Sequence, residues 1–402
     1  MWLDFVDGGS SCSMQFPNGS DRLSRLYGNG KAESNVNRVS LEGLTYRMGM
    51  SMIPAAMLTE LAEWRAALEP AGHWPARQMA RLAEAGVFGW LIPRRWGGRE
   101  LDEPEILGGY LELADACLTS AFILTQFNSA VQKLVTCGRE ALQETWLPRL
   151  ARGECFTTVG ISHLTTSRSR GPGPAVIAAR DNDGFRLSGQ IPWVTGANAA
   201  QLIVVGGTAP DGKQLLAAIE TTDPRVTIAP PQQFLALTAS QTGPIELRDV
   251  AVRFKRIVAG PAPEVLKIGS RGGTGSLTTS ALALGTSRST LRALRDELRQ
   301  TPSLESVVSQ LADEGRSLEQ ALFAASREES GSWSAEQIRL RANSYVTRLA
   351  QSSLAAAKGT GFVSGHPAER AIREAMFFYV WSCPQSVMQG NLQELACRDE
   401  AW

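Results

Sequence analysis

Between residues 54 and 150 apolar side chains recur three and four positions apart, the spacing that lays one apolar stripe along a helix. "MLTELAEWRAALE" and "PARQMARLAEAGVFGWL" carry this period, as do "EILGGYLELADACLTSAFILTQFNSAVQKLV" and "REALQETWLPRLARG". "PRRWGGRELDEPE" interrupts it with Pro93 and the Gly97-Gly98 pair. At Glu154 the pattern shortens. "CFTTVGIS", "AVIAARDNDGFRLSGQIPWVTG", "QLIVVGGTA", "QLLAAIE", "VTIAP" and "GPIELRDVAVRF" are β-branched runs. Asn182-Asp183-Gly184 and Asp211-Gly212 punctuate them as hairpin turns. Short strands at this spacing predict a small barrel or sandwich of about 110 residues.

The helical period returns after Pro263 in four long segments, "GSLTTSALALGTSRSTLRALRDELR", "SLESVVSQLADEGRSLEQALFAASRE", "AEQIRLRANSYVTRLAQSSLAAAKG" and "AERAIREAMFFYVW". Thr301-Pro302 reads as a cap with its first-turn proline. Ser334 to Gln337 reads as a capping box, and Gly359 as a helix terminator. The predicted fold class is α+β and multidomain. It comprises an N-terminal helical domain (49–153), a central β-barrel or sandwich (154–262) and a C-terminal four-helix bundle (263–402). Residues 1–48 are rich in Ser, Asn and Gly and lack periodicity, so they are expected to be disordered. The cluster Met48, Met50, Met52 suggests that translation starts there and that the preceding residues are a gene-calling artefact. The intact mass of the natively expressed protein tests this.

The chain has 402 residues, room for two or three domains with sizeable cores. Forty basic residues balance forty acidic ones, so nucleic acid and acidic membrane surfaces are not the expected partners. No apolar run reaches the roughly 18 residues of a membrane span. The N-terminal sequence lacks the basic start and apolar core of a secretory signal, so a cytoplasmic location is expected. Cysteines 12, 117, 137, 155, 383 and 397 show no metal-ligand spacing and are expected as reduced, mostly buried thiols.

Helices, a β module and a helical bundle, in that order and at this length, resemble the acyl-CoA dehydrogenase superfamily. "LAEAGVFGWLIPRRWGGRELD" and "FNSAVQKLVTCGREALQETWLPRLARGE" resemble segments of its first domain. "DGFRLSGQIPWVTGANAAQLIVVGG" is similar to its central hairpin, and "IELRDVAVRF" and "GFVSGHPAERAIRE" to the end of its β domain and the approach to the last helix. The resemblance covers roughly residues 55 to 400. It implies a flavoprotein oxidoreductase with bound FAD, an acyl-CoA substrate and an electron-transfer flavoprotein as a candidate partner. It also implies a homo-oligomer, a dimer or tetramer, in which a neighbour's helical bundle completes the flavin site.

Carried over residue by residue, the resemblance puts Trp193 against the isoalloxazine and Thr195, beside Val194, at the flavin N5 edge. An ordinary barrel-core aromatic is the alternative for Trp193. The preceding cofactor strand corresponds to "TVGISHLTTSR", with Val159, Ile161, Ser162 and Ser167 as candidate contacts, but its usual glycine-rich turn is gone. His163 is an acid–base candidate there, against the commoner reading of a hydrogen-bonded turn histidine. The usual Arg-x-x-Phe-Gly segment is replaced by "LRQTPSLESVVSQL", leaving Arg299 either as a pyrophosphate ligand or as a solvated helix-end arginine. Gly359 and Gly361 retain two glycines of a Gly-Gly-x-Gly turn.

Dehydrogenation of an acyl thioester needs a base for the α-proton while the flavin takes a hydride, and a desolvated carboxylate suits that task. Its usual place follows an "R-[DE]-A" run. Counting from Arg373-Glu374-Ala375, that place holds Ser382, which has no useful basicity. The alternative seat in the first long C-terminal helix falls near Gly275, with no acid before Asp296. Cys383 has no cation adjacent in sequence to activate its thiol, and Glu369 and Glu374 are expected to pair with Arg373 and Arg370. Three functions are thereby open: an acyl-CoA dehydrogenase-like enzyme, a flavin monooxygenase of the same fold using FMN, or a non-catalytic scaffold.

Overall fold

A computed structural model describes residues 51–164, 173–268, 277–299 and 301–396. The first helices are α1 (Ala55–Ala71), α2 (Ala76–Glu84), α3 (Glu103–Ala116), α4 (Leu118–Thr136) and α5 (Glu140–Ala151). The apolar period continues past α2 toward Leu91, but the helix stops at Glu84. Gly86, at φ 70°, turns the chain into a single 3-10 turn over Val87–Gly89. The long segment from Glu105 to Val135 divides at Cys117, whose extended φ of −158° ends α3 and starts α4. Asp102 and Glu105 form a capping box at the start of α3, satisfying two of its orphan N–H donors. Helix α4 is buried on nearly every face, and Phe127 within it stacks on Phe88 at 4.5 Å and approaches Phe156 at 5.4 Å. These rings tie the helices to the sheet.

Strands β1 (Thr157–Gly160), β2 (Val176–Asp181), β3 (Gly184–Val194), β4 (Leu202–Thr208), β5 (Gln214–Glu220), β6 (Val226–Ile228), β7 (Gly243–Arg253) and β8 (Ile257–Ala262) form one eight-stranded sheet. Its order is β6-β7-β3-β2-β4-β5-β8, with β1 parallel to β4. Both predicted turns join antiparallel neighbours, β2 to β3 and β4 to β5. Alternation marks the half-solvated strand β2, whereas β4 is buried along almost its whole length.

Helices α6 (Leu277–Glu297), α7 (Glu305–Ser326), α8 (Ala335–Ala357) and α9 (Pro367–Val380) match the four predicted segments. A shorter fifth helix, α10 (Gln385–Ala396), follows Pro384. Helices α3 and α6 pack so closely at Gly285 that an added Cβ would stand 2.5 Å from the Leu111 carbonyl oxygen. The predicted capping box at Ser334 and Gln337 is present. Two other expectations need correction. Gly359 does not terminate α8: the C-cap is Lys358, at φ 52°, and Gly359 lies inside the 3-10 turn Lys358–Phe362 with open space around it. Thr301 precedes Pro302 as expected, yet its side chain makes no capping bond.

Among the described residues no helix is long and apolar enough to cross a membrane. Cys117, Cys137, Cys155 and Cys383 are free thiols, the first and third buried. Cys12 and Cys397 lie outside the described residues, as do residues 1–48, Ser167 and Gly275.

Candidate active site

Proline cannot donate to a sheet ladder, so within a strand it belongs at an edge or a bulge. Pro192 obeys this rule: the register of β3 against β7 shifts between Ile191 and Val194. The irregularity re-aims the next side chain. Trp193 is consequently 44% exposed while its neighbours Ile191 and Val194 are fully buried. The barrel-core reading of Trp193 is therefore incorrect. Phe234 lies beside it, ring centroids 6.0 Å apart, and Leu235, next in the chain, is also exposed.

Thr195 stands differently from Trp193. It is buried, and its Oγ1 lies 2.8 Å from Thr242 Oγ1, which is 2.9 Å from Ser240 Oγ. Each hydroxyl in such a row both donates and accepts, so one end of the row keeps a proton available to a further acceptor. The sheet supplies the rigidity, because Thr242 immediately precedes β7 and Thr195 immediately follows β3.

The second candidate strand, β1, is held against β4 in parallel register, Val159 opposite Val204. Val159 is buried; Ile161, Ser162 and His163 are partly exposed at its C-terminal end. His163 Nε2 lies 3.2 Å from the Gly206 carbonyl oxygen, and burial pulls its pKa below the usual imidazole range. The ring is thus a neutral group fastened to the sheet, which supports the turn-histidine reading.

The third element is the end of α9. Phe377 and Trp381 stack at 5.8 Å, and Phe122 from α4 meets both edge-on at 5.1 and 4.5 Å. Ser382, at the expected base position, is exposed and has φ 44° in the left-handed region. Behind this turn lies Arg339 of α8, fully buried. Its Nη2 donates to the carbonyls of Phe378 (2.8 Å) and Trp381 (3.0 Å), while Nε and Nη1 find no partner among the described residues. Asn343, one turn along α8, donates to the same Phe378 carbonyl at 3.2 Å. Desolvation pulls the Arg339 pKa down to about 10.

Cys383 therefore does have a cationic neighbour, supplied by the fold rather than by adjacent sequence. Burial still dominates and pushes its thiol up, with Arg339 only partly opposing. At neutral pH Cys383 is a thiol. The two glutamates of α9 are committed as expected: Glu369 bonds Arg373, and Glu374 lies 4.0 Å from Arg370. Arg299 bonds Asp296 at the end of α6, the solvated helix-end alternative. Gly361 sits against Ala357 and Leu354, where a Cβ would clash.

Sequence inspection overlooked Phe122, Phe234, Arg339 and Asn343. For the last two a signal existed. Ile338, Ala342, Val346 and Leu349 mark the buried stripe of α8, and Arg339 and Asn343 fall in the same phase. Polar residues on that stripe require buried partners. Phe122 and Phe234 gave no such signal, because an apolar residue in an apolar segment looks like core.

An open aromatic face on a bulged strand, beside a row of coupled hydroxyls, fits a planar heteroaromatic cofactor. The turn that would approach its phosphates, residues 165–172, lies outside the described residues.

Residues 46–154 match the family model for the acyl-CoA dehydrogenase N-terminal domain. The chain is 23% identical over 349 residues to the probable acyl-CoA dehydrogenase YngJ of Bacillus subtilis (strain 168), covering 82% of this chain and 92% of that protein. Butyryl-CoA dehydrogenase from Megasphaera elsdenii superposes with a TM-score of 0.73 at 17% identity, over 85% of this chain and 96% of its own. The dibenzothiophene monooxygenase of Paenibacillus sp. A11-2 superposes with a TM-score of 0.69 at 16% identity, over 85% and 96%.

Proposed function

Because this chain belongs to the acyl-CoA dehydrogenase superfamily, we propose that it is a flavin-dependent oxidoreductase acting on an acyl-CoA thioester. The observation that carries this reading is the Trp193–Phe234 ledge: a large aromatic surface left open to solvent between the fully buried Ile191 and Val194 of β3. Exposure of that kind wastes burial energy unless something flat covers it. Trp193 would support the ring of FAD, with Val194 and the hydroxyl row ending at Thr195 along one edge. Val159, Ile161 and Ser162 would line the strand side, and Gly359 and Gly361 the approach from the bundle. Bound flavin supplies the hydride acceptor. The residues of this chain bind and orient it, and the Phe122–Phe377–Trp381 cluster excludes water at the end of α9. An electron-transfer flavoprotein is the proposed redox partner, and a homo-oligomer the proposed assembly.

Ser382 favours a second reading. With a hydroxyl where the α-proton base would stand, oxygenation by reduced FMN, which needs no such base, suits the residue equally well.

The test is the visible spectrum of purified protein after addition of FAD or FMN and desalting. Retained FAD that is bleached by a member of a broad acyl-CoA panel supports the dehydrogenase. Preference for reduced FMN, without bleaching, supports the oxygenase. Trp193→Ala should weaken flavin retention about tenfold or more, while changing stability by less than about 1 kcal/mol, because the ring is half exposed. A protein that retains neither flavin, oxidised or reduced, overturns both readings.

A further inference from the structure

Away from the Trp193 ledge, a cavity of about 220 Å³ lies between α1, α6 and α9. Its charged lining is Arg65 from α1, Arg292 and Asp296 from α6, and Arg370 and Glu374 from α9. Most of these charges are already spent. Arg292 is bonded through both terminal nitrogens to Asp115, and Asp296 to Arg299. Arg65 donates through Nη1 to the carbonyls of Asp115 (3.2 Å) and Ala116 (3.4 Å), closing the end of α3.

Arg370 is the most loosely engaged of these charges, paired with Glu374 only at long range. Its side chain is only 11% exposed, yet it makes no hydrogen bond among the described residues, and its Nε is 4.0 Å from the Glu374 carboxylate. A guanidinium carries five donors, and in this half-open cavity those of Arg370 are available to an entering ligand. Arg65 adds a second positive charge to the same space. Burial and the charge of Arg370 both lower the Arg65 pKa, so the two guanidinium groups repel across the cavity. The lining as a whole holds three arginines, Arg65, Arg292 and Arg370, against the two carboxylates Asp296 and Glu374, an excess of one positive charge.

We propose that this cavity is an oxyanion site, in which a phosphate or short carboxylate is held between the guanidinium groups of Arg65 and Arg370. Guanidinium forks match both anions with paired, charge-assisted bonds. The volume lies below the roughly 300–1,000 Å³ of pockets that enclose drug-sized ligands, so a free small anion fits and a nucleotide does not. Occupancy would fasten α1 to α6 and α9.

The test is calorimetric titration of the full chain with phosphate, sulfate and acetate in turn, at fixed ionic strength. The expected result is saturable binding of one anion per chain, and the tighter of phosphate and acetate identifies the class. Arg370→Gln should weaken binding at least about tenfold, and Arg370→Lys, which keeps the charge but loses the fork, by less. Ala293→Leu, which fills the cavity and leaves both arginines in place, should abolish it, and serves if the Arg370 variants do not fold. No saturable binding of any of the three anions up to about 10 mM, a concentration that affinity arithmetic equates with about 3 kcal/mol, overturns the proposal. Unchanged binding in folded Arg370→Gln or Ala293→Leu overturns it as well.

Discussion

Replacing Arg339 asks whether a buried cation without a carboxylate stabilises this fold or burdens it. Its pKa of about 10 means that holding the charge inside costs about 3 kcal/mol relative to the unfolded chain, at about 1.4 kcal/mol per tenfold. Against this stand two charge-assisted bonds to the Phe378 and Trp381 carbonyls, roughly 1.5–3 kcal/mol each. Its position at the C-terminal end of α9 adds up to about 2 kcal/mol, because the helix dipole is negative there. The favourable contributions win by a small margin. Arg339→Met keeps most of the volume, removes both sides of this balance and should destabilise by about 1–3 kcal/mol. Arg339→Ala adds a cavity and should cost about 2 kcal/mol more. Urea unfolding followed by tryptophan fluorescence measures both, read as a lower midpoint at unchanged slope. A Met variant as stable as the parent, or more so, would refute the argument and mark Arg339 as a net burden.

His163 predicts a pH dependence. Its folded pKa lies below the unfolded value near 6.5, so the unfolded chain binds more protons in that window and stability falls as pH drops below about 6.5. Urea midpoints from pH 7.5 to 5 should fall less steeply in His163→Asn, and identical slopes would exclude the linkage. Ser382→Glu places a carboxylate at the proposed base position and should leave stability nearly unchanged, because Ser382 is exposed and already carries the Cβ that φ 44° strains. In flavin-loaded protein the substitution should allow or speed bleaching by an acyl-CoA, and a loaded variant that stays oxidised across the panel would count against Ser382 as the lost base.

Much of the architecture was legible because it rests on local rules. The 3.6-residue period located α6 to α9, and Asn-Asp-Gly and Asp-Gly located two hairpins. Where local rules misled, a backbone angle decided. Gly86 ended α2 inside an apolar run, Cys117 split one long period into two helices, and Lys358, at positive φ, took the C-cap position that Gly359 was expected to hold. Helix α10 escaped notice because the chain before it is broken at Ser382 and Pro384, and a break reads as an ending.

The candidate site was less legible, for a different reason. Motif position identified Trp193, but not the bulge at Pro192 that exposes it, since a register shift is a relation between β3 and β7 rather than a property of either. The same holds at the far end of the site. In sequence, "WSCP" is defined by the carboxylate it lacks. In the fold, the preceding turn is organised by Arg339 and Asn343 of α8, whose bonds fix the carbonyls at the end of α9 and so set where residue 382 stands. Were an acid to stand at residue 382, this frame would position it. The aromatic ledge open on β3 favours a site that holds a ligand over a fold serving only for assembly.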